Sequence, residues 1–347
     1  MKKGFCVFFI IMMAFVLVPG AMAQDLKKIK LTWSDHAPPS AGGTVFMKTE
    51  WVPKINAEIA KIGYQLDITY FHSQSLYKYV DQVQAMEDGL IDFTLFVPSW
   101  EAARAPLHEV TSFPLMGFND GYAASRMWFD LEEEIPAFGA EFAKYKDLFH
   151  WLPMPSILNG NKVYRVPSDL KGVKIASSAM LGDLFRSVGA VPIKQIPPDW
   201  YTSLDRGLLD AAAIGIYGVI MFKIQEVTNT HIFPYKDNFG HPPTAVLMNR
   251  KKFESLPPGV QKVIDDNVLW ATKRINEIDN AHDPESLEIV KKMGHTIVTL
   301  TPDEMKLWYA AVKPIHEAWI EKMEAKGLPG REVFEESQRL TKKYSND

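Results

Sequence analysis

Aromatic side chains stand at several places in this chain where a ligand can stack against them. Trp33, Trp100 and Tyr217 lie at the ends of predicted strands, and Trp200 and Tyr201 open a predicted helix. Aromatic faces bind aromatic or apolar molecules, and they hold a quaternary or zwitterionic nitrogen by cation–π contact. We therefore take these rings as candidate ligand contacts. The alternative for each ring is a place in a hydrophobic core.

Polar side chains accompany these rings. Asp35 and His36 follow the first predicted strand, Gln74 precedes the second predicted helix, and Ser99 directly precedes Trp100. Each of them can hydrogen-bond a polar group of a ligand. Two alternatives stay open at this stage, because Asp35 can instead form a turn and Gln74 can instead cap its helix.

Sequence motifs of catalysis and of metal binding are missing. No GxSxG, HExxH, GxxxxGK or GxGxxG pattern occurs, and the nine histidines are scattered without the spacing of metal ligands. We therefore expect no catalytic residue, no metal and no cofactor. The sequence favours a binding protein over an enzyme.

A phrase that occurs twice indicates the elements that position the candidate residues. Gly89-Leu90-Ile91-Asp92 and Gly207-Leu208-Leu209-Asp210 each end a predicted helix and lead into a short apolar run. Glycine adopts the left-handed conformation that ends a helix, and such a run is typical of a strand buried on both faces. Unless the phrase recurs by chance, it predicts two α/β lobes with a ligand cleft beyond the strand ends.

The pattern along the chain adds detail to this fold class. Residues 29–33, 66–71 and 93–97 are predicted as strands separated by helices, which implies parallel pairing with right-handed crossovers. We also predict a short strand at 163–166 and one long helical stretch over 257–288.

The first 23 residues predict export to the periplasm. Lys2 and Lys3 precede an apolar run over 5–18, and Ala21-Met22-Ala23 supplies a cleavage site of a signal peptide; an uncleaved anchor is the alternative. Cleavage would leave 324 residues (347 − 23) with a net charge of −6 (−4 − 2). The lone Cys6 would leave with the leader, so no disulfide is expected. Mild, unclustered acidity argues against a nucleic-acid partner.

The order of motifs between Asn159 and Asp210 is specific when taken together. It reads Pro167-Ser168-Asp169-Leu170-Lys171-Gly172-Val173-Lys174-Ile175, then Val188-Gly189-Ala190-Val191-Pro192, then Trp200-Tyr201-x-x-Leu204-x-x-Gly207-x-x-Asp210. This order resembles the DctP family, the solute-binding proteins of tripartite ATP-independent periplasmic (TRAP) transporters. Residues 84–92 match a further family segment, so the likeness covers essentially the whole mature chain.

The resemblance implies a two-lobed periplasmic binding protein of type II-like architecture. Crossing strands and a long spanning helix would join lobe I (24–157 plus 240–280) to lobe II (158–239 plus 281–347). The lobes would close around a small organic solute by a hinge motion. The implied solute is an organic anion, a carboxylate or sulfonate, delivered to the small and large subunits of an ion-gradient-driven permease. A sensory subunit for a histidine kinase and a periplasmic enzyme remain the alternatives.

The sequence departs from the family at the ligand clamp. The family arginine that grips a carboxylate by two hydrogen bonds corresponds to Ala176, which Ser177 and Ser178 follow, and the usual asparagine corresponds to Ile214. A second basic position of some members falls near Lys162. Three alternatives stay open: Lys162 or another base replaces the arginine, the solute carries a sulfonate or another group that needs a weaker clamp, or the solute belongs to a different class. The hydroxyls of Ser177 and Ser178 could donate hydrogen bonds at this position.

Overall fold

The computed structural model describes residues 26–118, 120–153, 155–177, 179–240 and 243–344, so the predicted signal peptide lies outside the described residues. The described residues form eleven strands: β1 Lys27–Ser34, β2 Tyr64–Phe71, β3 Phe93–Phe96, β4 Tyr145–Trp151, β5 Ile157–Gly160, β6 Lys174–Ala176, β7 Val191–Ile193, β8 Ala211–Ile214, β9 Thr230–Phe233, β10 Thr244–Asn249 and β11 Thr296–Thr299.

Helices connect and cover the strands. They are α1 Gly42–Phe46, α2 Val52–Ile59, α3 Tyr79–Glu87, α4 Gly121–Glu134, α5 Pro136–Ala140, α6 Ala179–Ser187, α7 Trp200–Asp205, α8 Ile216–Met221, α9 Arg250–Glu254, α10 Pro258–Asp266, α11 Val268–Lys292, α12 Pro302–Glu324 and α13 Gly330–Tyr344. A π-helical turn, Met47–Trp51, joins α1 to α2. Short 3₁₀ turns are Ala60–Ile62, Pro98–Trp100, Leu107–Ser112, Pro167–Leu170, Pro197–Asp199 and Ile224–Glu226. None of the helices in the described part of the chain has the length and apolar character needed to cross a bilayer.

Two sheets confirm the predicted α/β class. The first has the order β2-β1-β3-β10-β4, and the second has the order β11-β9-β5-β8-β6-β7. β1 pairs in parallel with β2 and β3, and β6 pairs in parallel with β7 and β8. β10 and β5 are antiparallel to their neighbours. We call the part built on the first sheet lobe I and the part built on the second sheet lobe II.

Two details of the predicted secondary structure were wrong. Residues 163–166 form no strand, because the Asp169 carboxylate accepts the backbone N–H groups of Arg165 (2.8 Å) and Val166 (3.0 Å) and turns the chain. The stretch 257–288 is not one helix, because it is interrupted at Asn267 between α10 and α11. There the Asn267 side chain donates to the carbonyl of Val263 (2.8 Å), in competition with helical backbone bonding.

The repeated phrase forms the same turn in both lobes. Its glycine has φ of +74° in the first copy and +66° in the second, a conformation that other residues rarely adopt. Its aspartate accepts a backbone N–H from the neighbouring parallel strand: Asp92 from Thr32 (2.7 Å) and Asp210 from Lys174 (2.9 Å). Each copy therefore fixes the start of one buried strand against the next.

Two crossing segments, 152–156 and 234–243, connect the sheets. They hydrogen-bond to each other, since Ser156 N–H donates to Gly240 O (3.0 Å) and Phe239 N–H donates to Ser156 O (2.9 Å). In lobe I both segments join the sheet at the edge where β1 and β3 end. In lobe II both join the sheet at the edge where β6 and β8 end. The carboxyl ends of the parallel strands in the two sheets therefore face each other across a cleft.

Two long helices pack against both lobes. α11 places Ile275 in the core of lobe I and Val290 in the core of lobe II. α12 places Trp308 in a second core cluster of lobe II and Trp319 in a second cluster of lobe I. Successive strand residues alternate between the clusters of each sheet, so the two helices cover opposite faces.

Each spanning helix contains a proline at its passage from one lobe to the other. Pro284 lies between the two core contacts of α11, and Pro314 lies between those of α12. Proline has no N–H for the helical hydrogen bond and disturbs the preceding turn. Both spanning helices are thus interrupted in their hydrogen bonding at the junction of the lobes.

The last helix returns to the first sheet. α13 packs on α4, and its Phe334 and Leu340 lie in the same core cluster as Trp128 of α4. The C-terminal part of the chain therefore contacts both lobes in turn. The exact lobe boundaries expected from the resemblance stay a prediction.

Candidate functional site

Asp35 lies directly after β1, on the side of lobe I that faces the cleft, and its carboxylate has several polar contacts. Its Oδ2 accepts the indole N–H of Trp33 and the hydroxyl of Thr44 (3.3 Å), and it lies 3.1 Å from His72 Nδ1. Burial raises the pKa of Asp35, while Trp33 and His72 oppose that rise. Its Oδ1 is buried and has no hydrogen-bond partner among the described residues. One carboxylate oxygen is thus fixed by the fold and the other is free.

Three rings form an aromatic wall beside Asp35. His36 lies 5.0 Å from Tyr79 and 5.3 Å from Trp100 between ring centroids, and Tyr79 meets Trp100 edge-on at 4.9 Å. Burial lowers the pKa of His36 to about 4, so its ring is neutral at pH 7. Ser99 is buried, and its hydroxyl has no partner among the described residues. The structure therefore brings Asp35, His36, Ser99 and Trp100 together on one wall.

Two predicted contacts of lobe I are used inside the fold. Trp33 is fully buried in the core, where its ring packs near Tyr70 and Phe93. Gln74 accepts the backbone N–H of Tyr79 (2.9 Å) at the start of α3, which is the helix-capping role left open above. Trp33 thus holds the Asp35 carboxylate in place through its indole N–H, and Gln74 fixes the start of the helix that carries Tyr79.

The lobe II wall is apolar. Ala176 and Ile214, at the ends of β6 and β8, are buried in one apolar cluster. The hydroxyl of Ser177 is buried and has no partner among the described residues, and Ser178 lies outside them. The position that the resemblance assigns to the family arginine therefore carries a methyl group inside a core.

Three other predicted residues of lobe II lie apart from this wall. Trp200 is buried beneath the sheet, where its indole N–H donates to the carbonyl of Gln195 (3.1 Å). The Tyr201 hydroxyl donates to Glu226 (3.2 Å). Lys162 is exposed and follows the carboxyl end of β5. Because β5 runs antiparallel to β8, its carboxyl end points away from the cleft, so the structure does not bring Lys162 to the other candidates.

Asp279 closes the back of the cleft, and the sequence reasoning missed it. Its Oδ1 has no partner among the described residues and lies against Gly42, where an added Cβ would be only 2.6 Å away. Burial raises the pKa of Asp279 to about 7; the indole N–H of Trp151 opposes this rise, and the charge of Asp283 adds to it. Any other residue at position 42 would therefore force this carboxylate to shift.

Tyr217, a predicted contact, lies beside this acid. Its ring stacks on His282 of α11 with centroids 4.4 Å apart and planes at 13°. Burial raises the pKa of Asp283 to about 6. The backbone N–H of Tyr217 donates to the Asp283 carboxylate and opposes this rise. Helix α8 of lobe II therefore contacts the spanning helix α11 beside Asp279 and Asp283.

One signal in the sequence points to Asp279. Ala271, Ile275 and Asp279 recur every four residues and are all buried, so the acid continues the apolar face of α11. A charged residue in such a face is unusual and merits functional attention.

Buried acids are present in the described part of the chain without buried lysine or arginine to match them. Among the described residues no lysine or arginine side chain is buried, whereas Asp35, Glu109 and Asp279 are. No group of three or more histidine, cysteine, aspartate or glutamate side chains in the described ranges is placed to hold a metal ion. The site can therefore stack rings and accept hydrogen bonds, and its buried charges are suited to a positively charged group.

Comparisons with known proteins agree with this architecture. Residues 47–323 match the family model of DctP, described as bacterial extracellular solute-binding protein, family 7. The C4-dicarboxylate-binding periplasmic protein DctP of Rhodobacter capsulatus is 24% identical over 270 residues, which cover 76% of this chain and 79% of that protein.

Solved structures share the fold. A marine metagenome TRAP solute-binding protein specific for aromatic acid ligands superposes with a TM-score of 0.84 at 21% identity, covering 91% of this chain and 99% of that one. A TRAP periplasmic solute-binding protein of Bordetella bronchiseptica, with bound mandelate, gives a TM-score of 0.78 at 20% identity over the same shares of the two chains.

Proposed function

This chain belongs to the DctP family, bacterial extracellular solute-binding protein family 7, and we propose that it is the solute receptor of a TRAP transporter. In this role it captures a small organic acid in the cleft and delivers it to the membrane permease. The family consists of solute-binding proteins, and we propose that the cleft binds its solute without chemical turnover. We place the protein in the periplasm, where the family relatives named above act.

The observation that carries this proposal is a set of free polar atoms after the strand ends of lobe I and on the spanning helix α11. Asp35, Ser99 and Asp279 are each more than nine-tenths buried, and each has an oxygen without a partner among the described residues. Buried polar atoms are normally hydrogen-bonded, because an unmet donor or acceptor costs about 1–3 kcal/mol. A solute between the lobes would meet these atoms and recover that energy in the closed state.

The ligands of the relatives support an organic acid with an apolar body. Aromatic acids and mandelate occupy the structural relatives, and the curated relative binds C4-dicarboxylates. The rings of His36, Tyr79 and Trp100 offer an aromatic acid a matching surface on lobe I. The apolar wall of lobe II offers it a second one.

A thermal-shift screen of the purified exported chain tests the proposal, with benzoate, 3-hydroxybenzoate, mandelate and succinate in the panel. A ligand at about a hundred times its Kd stabilises the fold by about 2.7 kcal/mol, a rise in Tm of a few degrees. We expect at least one acid to give that shift, and Trp100→Ala to lose it. A panel of organic acids without any shift would contradict the proposal.

Lys162→Ala is the matched comparison. Because Lys162 is exposed at the far end of β5, we expect this variant to bind the same acid with unchanged affinity by calorimetry. A loss of binding in Lys162→Ala would restore it as the base that replaces the family arginine.

A further inference from the structure

Two buried carboxylates lie against the first turn of α1. Asp35 accepts the hydroxyl of Thr44 through Oδ2, and the Oδ1 of Asp279 lies against Gly42, two residues earlier in the same turn. Each acid keeps its Oδ1 buried and without a partner among the described residues. Of the two free oxygens, the Oδ1 of Asp279 is the one that lies directly against this turn.

Among the residues that the structure describes, the groups that face Asp279 supply no fixed positive charge. On its own helix these are His282 and Asp283, α8 contributes Tyr217, and β4 contributes the neutral indole of Trp151. The turn of α1 beside it contains no titratable side chain. A carboxylate in such a setting either keeps its proton or needs a cation from outside the chain.

Resting on the proposed function, we propose that the solute is an organic acid that also carries a protonated nitrogen, which donates to the free Oδ1 atom of Asp279. The solute class is thus the amino acids in the broad sense, zwitterions with an ammonium group and an acid group. The free hydroxyls of Ser99 and Ser177, one on each lobe, are available to the acid group.

Charge complementarity gives the proposal its physical basis. Hydrogen bonds between an ammonium group and a carboxylate are about twice as strong as neutral ones, and the aromatic rings nearby favour a cation further. A solute with two carboxylates would instead meet Asp35, Asp279 and Asp283 as like charges.

The pH dependence of binding follows from Asp279. The acid must lose its proton to pair with an ammonium group, and burial holds its pKa at about 7. Affinity for the zwitterion should therefore rise as pH increases from about 6 to about 8, where the ammonium group stays protonated. An acid that bound through a protonated Asp279 would show the opposite slope.

Calorimetry on matched pairs of acids tests the proposal. Mandelate and phenylglycine differ by a hydroxyl in place of an ammonium group, and 3-(hydroxymethyl)benzoate and 3-(aminomethyl)benzoate form a second pair. We expect the nitrogen-bearing member to bind at least about tenfold more tightly, and Asp279→Asn to abolish that preference. Glu109→Gln is the control, because Glu109 is a buried acid whose partner Lys322 (3.7 Å) lies on α12.

Three outcomes would overturn the proposal. One is equal or tighter binding of the nitrogen-free acids, which would leave the receptor role intact. Another is tighter binding of those acids to Asp279→Asn, since its amide mimics a protonated carboxyl. The last is an absence of binding by any acid, which would remove the proposed function as well. Melting curves of the ligand-free variants separate lost binding from lost folding.

Discussion

The two lobes share one backbone plan but line the cleft differently. In lobe I the strands run in the order β2-β1-β3-β10, and in lobe II the equivalent order is β7-β6-β8-β5. In both, the first strand of a βαβαβ unit lies between the other two, and an antiparallel strand follows the third. The residue after the first strand is Asp35 in lobe I and Ser177 in lobe II.

This difference shows that the backbone and the side chains have separate roles in forming the ligand cleft. The shared unit determines where the cleft lies, because its strand ends must face each other once the crossing segments join the sheets. The side chains at those ends determine the chemistry. Lobe I offers a charged and aromatic wall around Asp35 and Trp100, and lobe II offers an apolar wall around Ala176 and Ile214.

Equivalent truncations should have the most unequal effects. Asp35→Ala leaves the Trp33 indole N–H and the Thr44 hydroxyl without their acceptor, and we expect it to lower the free energy of unfolding by about 3–5 kcal/mol. Ser177→Ala removes a hydroxyl without a partner among the described residues, so we expect a change within about 0.5 kcal/mol. Urea denaturation measures both, and equal losses would break the comparison.

The acid at the back of the cleft should make the ligand-free fold sensitive to pH. Since the pKa of Asp279 is raised to about 7 from 3.8, the folded chain holds a proton that the unfolded chain releases between about pH 4 and 7. Its contribution to stability is therefore lost as pH rises through that window. We expect Asp279→Asn to gain about 3–4 kcal/mol over the natural chain at about pH 8 and nothing at about pH 4. A difference between the two chains that does not vary with pH would be evidence against this.

The two copies of the repeated turn should respond alike. Asp92→Ala and Asp210→Ala each remove the acceptor of one backbone N–H, and we expect each to cost about 1–2 kcal/mol. Thermal unfolding of the two variants checks this, and a difference well above 1 kcal/mol would show that the turns are equivalent in shape only.

The smallest effects should come from the leucines of the same turns. Leu90 and Leu208 are 61% and 58% exposed, so replacing either with serine should change the free energy of unfolding by no more than about 0.5 kcal/mol. The following residues, Ile91 and Leu209, are buried in separate cores. Replacing either of these with alanine should cost about 2–5 kcal/mol, as the internal contrast in the same assay.

Local patterns were enough to predict the fold and the lobe I wall. The repeated turn and the apolar runs depend on neighbouring residues, and Asp35, His36, Ser99 and Trp100 follow strands whose carboxyl ends form the cleft. Asp279 could not be placed in this way, because its role depends on contact with Gly42, which is far away in sequence. Lys162 lies apart from the other candidates because β5 runs antiparallel to β8, a strand direction that cannot be read from a motif.

The prolines of the spanning helices have a mechanical consequence. An unbroken helix is stiff, and two such helices on opposite faces of the sheets would hold the lobes rigidly together. Pro284 and Pro314 each remove one backbone hydrogen bond where a spanning helix passes from one lobe to the other. The flexibility of the two helices is therefore concentrated at these two points. We therefore expect the two lobes to rotate relative to each other most easily about these two prolines, in the direction that opens and closes the cleft.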